Sequence, residues 1–131
     1  MRNTIYKSVV MPATAEDLFN MYMNPSEHAA ITGAPVLIGD KSGSAFQAFD
    51  GRLQGTILQV VRPRLIVQSW RSFAFKTDDP DSTLIMCFTP EGDQGRIDLV
   101  HLDVPDHDYD KVTQGWEPRY FVPWRQYLDR R

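Results

Sequence analysis

Residues 115–128 read GWEPRYFVPWRQYL. Trp116, Tyr120, Trp124 and Tyr127 follow one another at intervals of four, four and three, the spacing of one helical face. Pro118 and Pro123 fall inside the same stretch, and a proline in a helix interior costs about 3 kcal/mol. A helix in two pieces reconciles the two signals. The first piece covers residues 106–114, Gly115 is a flexible joint, and Pro118 falls in the first turn of the next piece, where its missing N–H is harmless. Pro123 lies deeper, frees the Arg119 carbonyl and bends the helix there. The expectation is a bent C-terminal rod with an aromatic face.

The rod must lie across something, and the preceding sequence is mostly strand. SAFQAF, DGRLQGTILQVV, RLIVQSWRSFAF, STLIMCFTP and RIDLVHLDV are β-rich runs between residues 44 and 104. KSG, DG, RP, DDPD and EGDQG punctuate them with turn chemistry, and FDGRL is the clearest hairpin signal. Short turns make the sheet antiparallel. Further back, TIYKSVVM alternates as a first strand, with Ile5, Lys7 and Val9 on one face. PATAEDLFNMYMN then begins a helix. Thr14 is its N-cap, with Asp17 placed to close a capping box in a weaker form. NPSEHAAITG begins a second, with Asn24 as cap, Pro25 in the first turn and Gly33 as the stop. The order is strand, two short helices, five or six strands and a C-terminal helix, an α+β layout.

These pieces together resemble a known family. PATAEDLFNMYMNPSEHAAITGAP, GSAFQAFDGRLQGTILQVVRPRLIVQSWR, DSTLIMCFTP and LVHLDVPDHDYDKVTQGWEPRYF occur in order over nearly the whole chain, and VQSWR with the later QGW and YF is the most specific combination. The sequence resembles the SRPBCC superfamily, which includes START proteins and the birch-pollen allergen. Within it the sequence is similar to the C-terminal-domain type of the activator of heat-shock protein 90 ATPase homologue family. The resemblance implies a helix-grip fold, a curved antiparallel sheet wrapped around a long, kinked C-terminal helix. It also implies a pocket between sheet and helix, closed at one end by the two short helices. A hydrophobic or amphipathic small molecule is the implied ligand, and a chaperone of the heat-shock protein 90 type is a second implied partner.

Composition sets outer limits. The 131 residues fit one domain spanning 1–131. The chain has 14 basic and 17 acidic side chains and a formal charge of −3, which argues against general nucleic-acid binding. No apolar run approaches the roughly 20 residues of a membrane span. Cys87 is the only cysteine, and with no secretory leader in view the expectation is a cytoplasmic protein. An exposed sheet edge would permit a homodimer.

Strand alternation nominates the pocket lining. Ile66, Gln68 and Trp70 share one face of LIVQSW. In STLIMCF the choice is between Leu84, Met86 and Phe88 on one side and Ile85 and Cys87 on the other. Ile97, Leu99 and His101 form the apolar face of RIDLVHL, apart from the histidine. The ligand-contact candidates are His28, Phe46, Gln68, Trp70, Met86, Leu99, His101, Trp116 and Tyr120. Any domain of this size also needs a core, which the same side chains could fill. His28 reads as a helix-surface or half-buried structural residue before a general base, since no partner is visible for it. His101 is a conceivable polar anchor for a ligand. An enzyme of the superfamily using either histidine is the third reading, and no catalytic residue is assigned. The run HLDVPDHDYD offers nitrogen and oxygen ligands without the spacing of a zinc or calcium loop, and its acids suit the start of a helix. Neither a metal nor a cofactor is expected. Arg71, opposite Trp70 on its strand, is expected to pair with a surface acid.

Overall fold

The computed structural model describes residues 3–131. The chain runs β1 (Ile5–Met11), α1 (Ala15–Met23), α2 (Pro25–Thr32), β2 (Leu37–Ile38), β3 (Ala45–Ala48), β4 (Leu53–Val61), β5 (Leu65–Ser72), β6 (Ser82–Glu91) and β7 (Gln94–Leu102). A 3₁₀ turn (Asp106–Asp108) then leads into α3 (Tyr109–Trp116), a π turn (Glu117–Phe121) and α4 (Val122–Arg130). All pairings are antiparallel, in the order β1-β7-β6-β5-β4-β3-β2. The first strand therefore closes against the last, with Ile5 opposite His101 and Val9 opposite Ile97. This is the helix-grip arrangement: a curved sheet holding a long C-terminal helix. A bulge between Ile57 and Gln59 in β4 adds to the curvature.

Local chemistry accounts for the first third of the chain. The Thr14 hydroxyl accepts from the Asp17 N–H at 3.1 Å and the Asn24 side chain from the Glu27 N–H at 3.0 Å. The capping box at Thr14 is not reciprocal, because the Asp17 carboxylate turns instead to Arg131 at 3.2 Å. Gly33 ends α2 in the left-handed region at φ 80, which favours glycine. Gly95 serves a different need. A Cβ there would lie 2.8 Å from both the Ala13 oxygen and the Ala15 nitrogen, so the entry to α1 crosses β7 where no side chain intervenes.

Period-two burial fills the concave side. Ile66, Gln68 and Trp70 of β5, Leu84, Met86 and Phe88 of β6, and Ile97, Leu99 and His101 of β7 are all buried. This settles the alternatives in β6 in favour of Leu84, Met86 and Phe88. Leu18, Phe19 and Tyr22 of α1 cap this surface, with Phe19 edge-on to Phe88 at 5.5 Å. Trp124 of α4 completes the interior and donates its indole N–H to the Met21 sulfur at 3.3 Å.

The C-terminal helix corrects the expectation of a joint. Gly115 lies within α3, which continues unbroken to Trp116. The irregularity comes one residue later as the π turn, where the Val122 N–H bonds the Glu117 carbonyl. Proline chemistry explains its place. Pro118 has no N–H to offer the Gln114 carbonyl, and Pro123 none for Arg119. Between them the ladder shifts from i−4 to i−5 bonding, and the helix continues without restarting.

Candidate functional site

A cleft of about 610 Å³ opens beside the first half of the C-terminal helix. One wall is a helical face. Asp108, Lys111, Val112, Gly115, Trp116 and Arg119 recur at the i, i+3, i+4 spacing and all line it. The facing wall comes from the β3–β4 turn, with Phe49, Asp50 and Arg52, and from the end of β5 and its loop, with Trp70, Ser72 and Phe73. Gly115 contributes space: its missing side chain widens the cleft midway along the helix.

The floor is aromatic. Trp116 packs on Tyr120 at 5.2 Å and on Trp70 at 6.3 Å between ring centroids. Phe49 meets Tyr120 edge-on at 5.7 Å. The turn that presents Phe49 holds three consecutive residues at positive φ, Phe49 at 51, Asp50 at 57 and Gly51 at 88. A bulky residue in that region is an outlier, and such strain concentrates at binding sites. The rim is charged and wet: Arg52, Lys111 and Arg119 are exposed, and the Arg52 guanidinium lies 5.5 Å from the centroid of the exposed Phe73 ring. Asp108 is buried at the helix start, and burial pushes its carboxyl pKa up.

Behind the floor runs a buried polar chain. The His28 Nδ1 lies 2.9 Å from the Tyr22 carbonyl, an acceptor only, so Nδ1 carries the proton. The other ring nitrogen, Nε2, therefore accepts from the Tyr120 hydroxyl, also at 2.9 Å. The Tyr22 hydroxyl in turn donates to Gln68 Oε1 at 2.5 Å. Burial dominates the titration of the whole group. It lowers His28 to about 4, against a smaller opposing effect of its bond to Tyr22, and raises both tyrosines. His101 is lowered to about 3 by burial alone.

The predicted residues fall in four places. Trp70, Trp116 and Tyr120 meet on the cleft floor. His101 lies directly behind, its ring 4.6 Å from Trp70. His28, Phe46 and Gln68 gather around Tyr22, deeper in the molecule. Met86 and Leu99 face each other across β6 and β7 in the packed interior. The expected surface or half-buried position of His28 is corrected: it is 1% exposed, because α2 packs against the C-terminal helix and both its ring nitrogens bond there and to α1. The pocket was expected between sheet and helix, closed at one end by the two short helices. Phe19, Tyr22, Phe46, Phe88 and Trp124 fill the space under the two short helices, and the remaining volume opens at the other end of the helix. Arg71 reaches Asp81 at 3.1 Å, and His107 reaches Asp79 at 2.7 Å. Among the described residues, no three His, Cys, Asp or Glu side chains converge as a metal site, and no helix is long and apolar enough to cross a membrane.

The lining residues missed from sequence include Phe49, Arg52, Phe73, Lys111, Val112 and Arg119. The helical repeat through residues 108–119 was the available signal for three of them. Phe49, Arg52 and Phe73 sit in turns, where no periodicity exists to read.

Comparison with known proteins identifies the family and the fold. Residues 12–122 match the family model described as Activator of Hsp90 ATPase homolog 1-like protein. The Homo sapiens activator of 90 kDa heat shock protein ATPase homolog 1 is 24% identical over 111 residues, covering 85% of this chain and 32% of its own length. The chain thus spans about a third of the curated relatives it matches. Among solved structures, an HSP90 activator from Plasmodium falciparum superposes with a TM-score of 0.88 at 18% identity, over 97% of this chain and 96% of that one. CalU16 from Micromonospora echinospora gives 0.80 at 21% identity, over 95% and 75%. At these identities the structural likeness is one of fold.

Proposed function

The chain belongs to the Activator of Hsp90 ATPase homolog 1-like family, and on that footing we propose that it is a binding module for a hydrophobic or amphipathic small molecule. The observation that carries this reading is the cleft. Its volume of about 610 Å³ lies within the roughly 300–1,000 Å³ of ligand pockets. An aromatic floor of Trp70, Trp116 and Tyr120 favours an apolar body, and the charged rim of Arg52, Lys111 and Arg119 tolerates a polar end in water.

The test is titration with an uncharged naphthylamine dye that fluoresces in apolar surroundings. Saturable fluorescence is expected, and Gly115→Phe, which fills the cleft from its helical wall, should abolish it. Saturable binding that survives Gly115→Phe unchanged would put the ligand elsewhere, and no binding would end the reading. Native mass spectrometry of freshly purified protein would report a retained ligand directly.

The family and its heat-shock protein 90 activator relatives favour a second reading, an accessory protein that stimulates a heat-shock protein 90-type ATPase. Its test is the ATPase rate of such a chaperone from the same organism. No stimulation at saturating protein would end it.

A further inference from the structure

Three side-chain nitrogens without a hydrogen-bond partner among the described residues belong to rings in mutual contact. They are Trp70 Nε1, Trp116 Nε1 and His101 Nδ1. The His101 ring lies 4.6 Å from Trp70 and 5.8 Å from Trp116, and the two indoles are 6.3 Å apart. All three residues are at least nine-tenths buried, at 5%, 4% and 0% exposure in the order Trp70, Trp116, His101. Buried polar groups are normally partnered, so three orphans in one cluster point to a group that is supplied from outside the chain.

Ser82 fixes what that group must offer. Its single hydroxyl proton is directed at the Trp70 carbonyl, 2.7 Å away. The same oxygen lies 2.9 Å from His101 Nε2, so there it accepts, and the histidine carries its proton on Nε2. His101 Nδ1 is then a bare acceptor. An indole N–H only donates. The cluster therefore presents two donors and one acceptor. An alcohol or phenol hydroxyl is their complement, with two lone pairs to accept and one proton to donate. A carboxylate is not, since it has no proton for Nδ1 and would be buried away from the exposed cations Arg52, Lys111 and Arg119.

We propose that the ligand of this cleft enters hydroxyl first, and that Trp70, Trp116 and His101 receive that hydroxyl behind the aromatic floor. The inference rests on the small-molecule reading above and narrows it to uncharged apolar molecules bearing an alcohol or phenol. The indole nitrogens are shielded in the free protein, so binding of the hydroxyl requires the two rings to part.

Calorimetric titration of the full chain with naphthol, naphthalene and naphthoate tests this. Naphthol is expected to bind about ten-fold or more tighter than either of the others. In nitrogen-proton correlation spectra, the indole signals of Trp70 and Trp116 should shift with naphthol and stay nearly still with naphthalene. Trp116→Phe should bring naphthol close to naphthalene. If that variant does not fold, the ligand comparison and the indole signals decide alone. Equal binding of naphthol and naphthalene with equal indole shifts would overturn the hydroxyl anchor and leave the apolar cleft standing. Preference for naphthoate would also overturn it, in favour of the cationic rim. Binding of none of the three would remove the cleft reading itself.

Discussion

The Tyr120 hydroxyl donates to His28 Nε2 across 2.9 Å, joining the π turn to α2. One residue therefore faces two ways. Its ring belongs to the cleft floor, and its oxygen belongs to the buried polar chain. Tyr120→Phe keeps the ring and leaves the His28 acceptor without its partner. An unpaired buried acceptor costs about 1–3 kcal/mol. Chemical denaturation should show that loss with dye affinity changed little. An unchanged unfolding midpoint would mean that water takes over the bond.

The two buried histidines make stability depend on pH. Burial holds His28 at about 4 and His101 at about 3, below their ordinary value. Between those values and about 6.5 the unfolded chain binds protons that the folded chain excludes. Their neutral state is fully compatible with folding above about pH 6.5, and stability falls as pH drops below it, by about 1.4 kcal/mol per unit for each histidine. The raised carboxyl of Asp108 acts in the opposite sense at the acidic end. Urea midpoints at about pH 7 and about pH 5 should differ in this direction. His101→Gln should reduce the slope, and a flat profile in the parent protein would contradict the burial of both rings.

Gly115 separates stability from binding. A Cβ there meets only the Arg119 side chain, at 3.7 Å, an ordinary contact. Gly115→Ala should therefore stabilise the helix by about 0.5–1 kcal/mol. Thermal melting checks this. A lower melting temperature would revive the flexible joint expected from sequence.

Leu99 tests the division between cleft and core. It is fully buried opposite Met86 and does not line the cleft. Leu99→Ala should cost about 2–5 kcal/mol, the usual range for an interior truncation. Dye affinity per folded molecule should hold. A large loss of affinity with little loss of stability would move the ligand into the interior.

The parts legible in sequence were those governed by short-range rules. Thr14, Asn24 and Gly33 mark helix ends because capping is local, and the alternation in LIVQSW and RIDLVHL reveals which side chains turn inward because a strand has a period of two. Whether an inward side chain meets a ligand or another side chain is a different question. Gln68 and Trp70 share a strand face, yet one bonds Tyr22 in the interior and the other lines the cleft. Only the placement of the helix decides between them. The burial of His28 is hidden for the same reason: its neighbours Ala29 and Ala30 conceal a contact made 92 residues away. The two-residue strand β2 is too short to have a period at all.

The π turn has a consequence for helical phase. Trp116, Tyr120 and Trp124 are spaced by four, and each such step overshoots a 3.6-residue turn by about 40°. Over two steps, an ordinary helix would carry the last ring well round from the first. A wider turn advances less per residue, so the one between Trp116 and Val122 takes back part of that drift. The prolines that seemed to spoil the helix thus sit beside a device that keeps its aromatic rings in line. It acts as a vernier, letting one rod serve the cleft at Trp116 and the packed interior at Trp124.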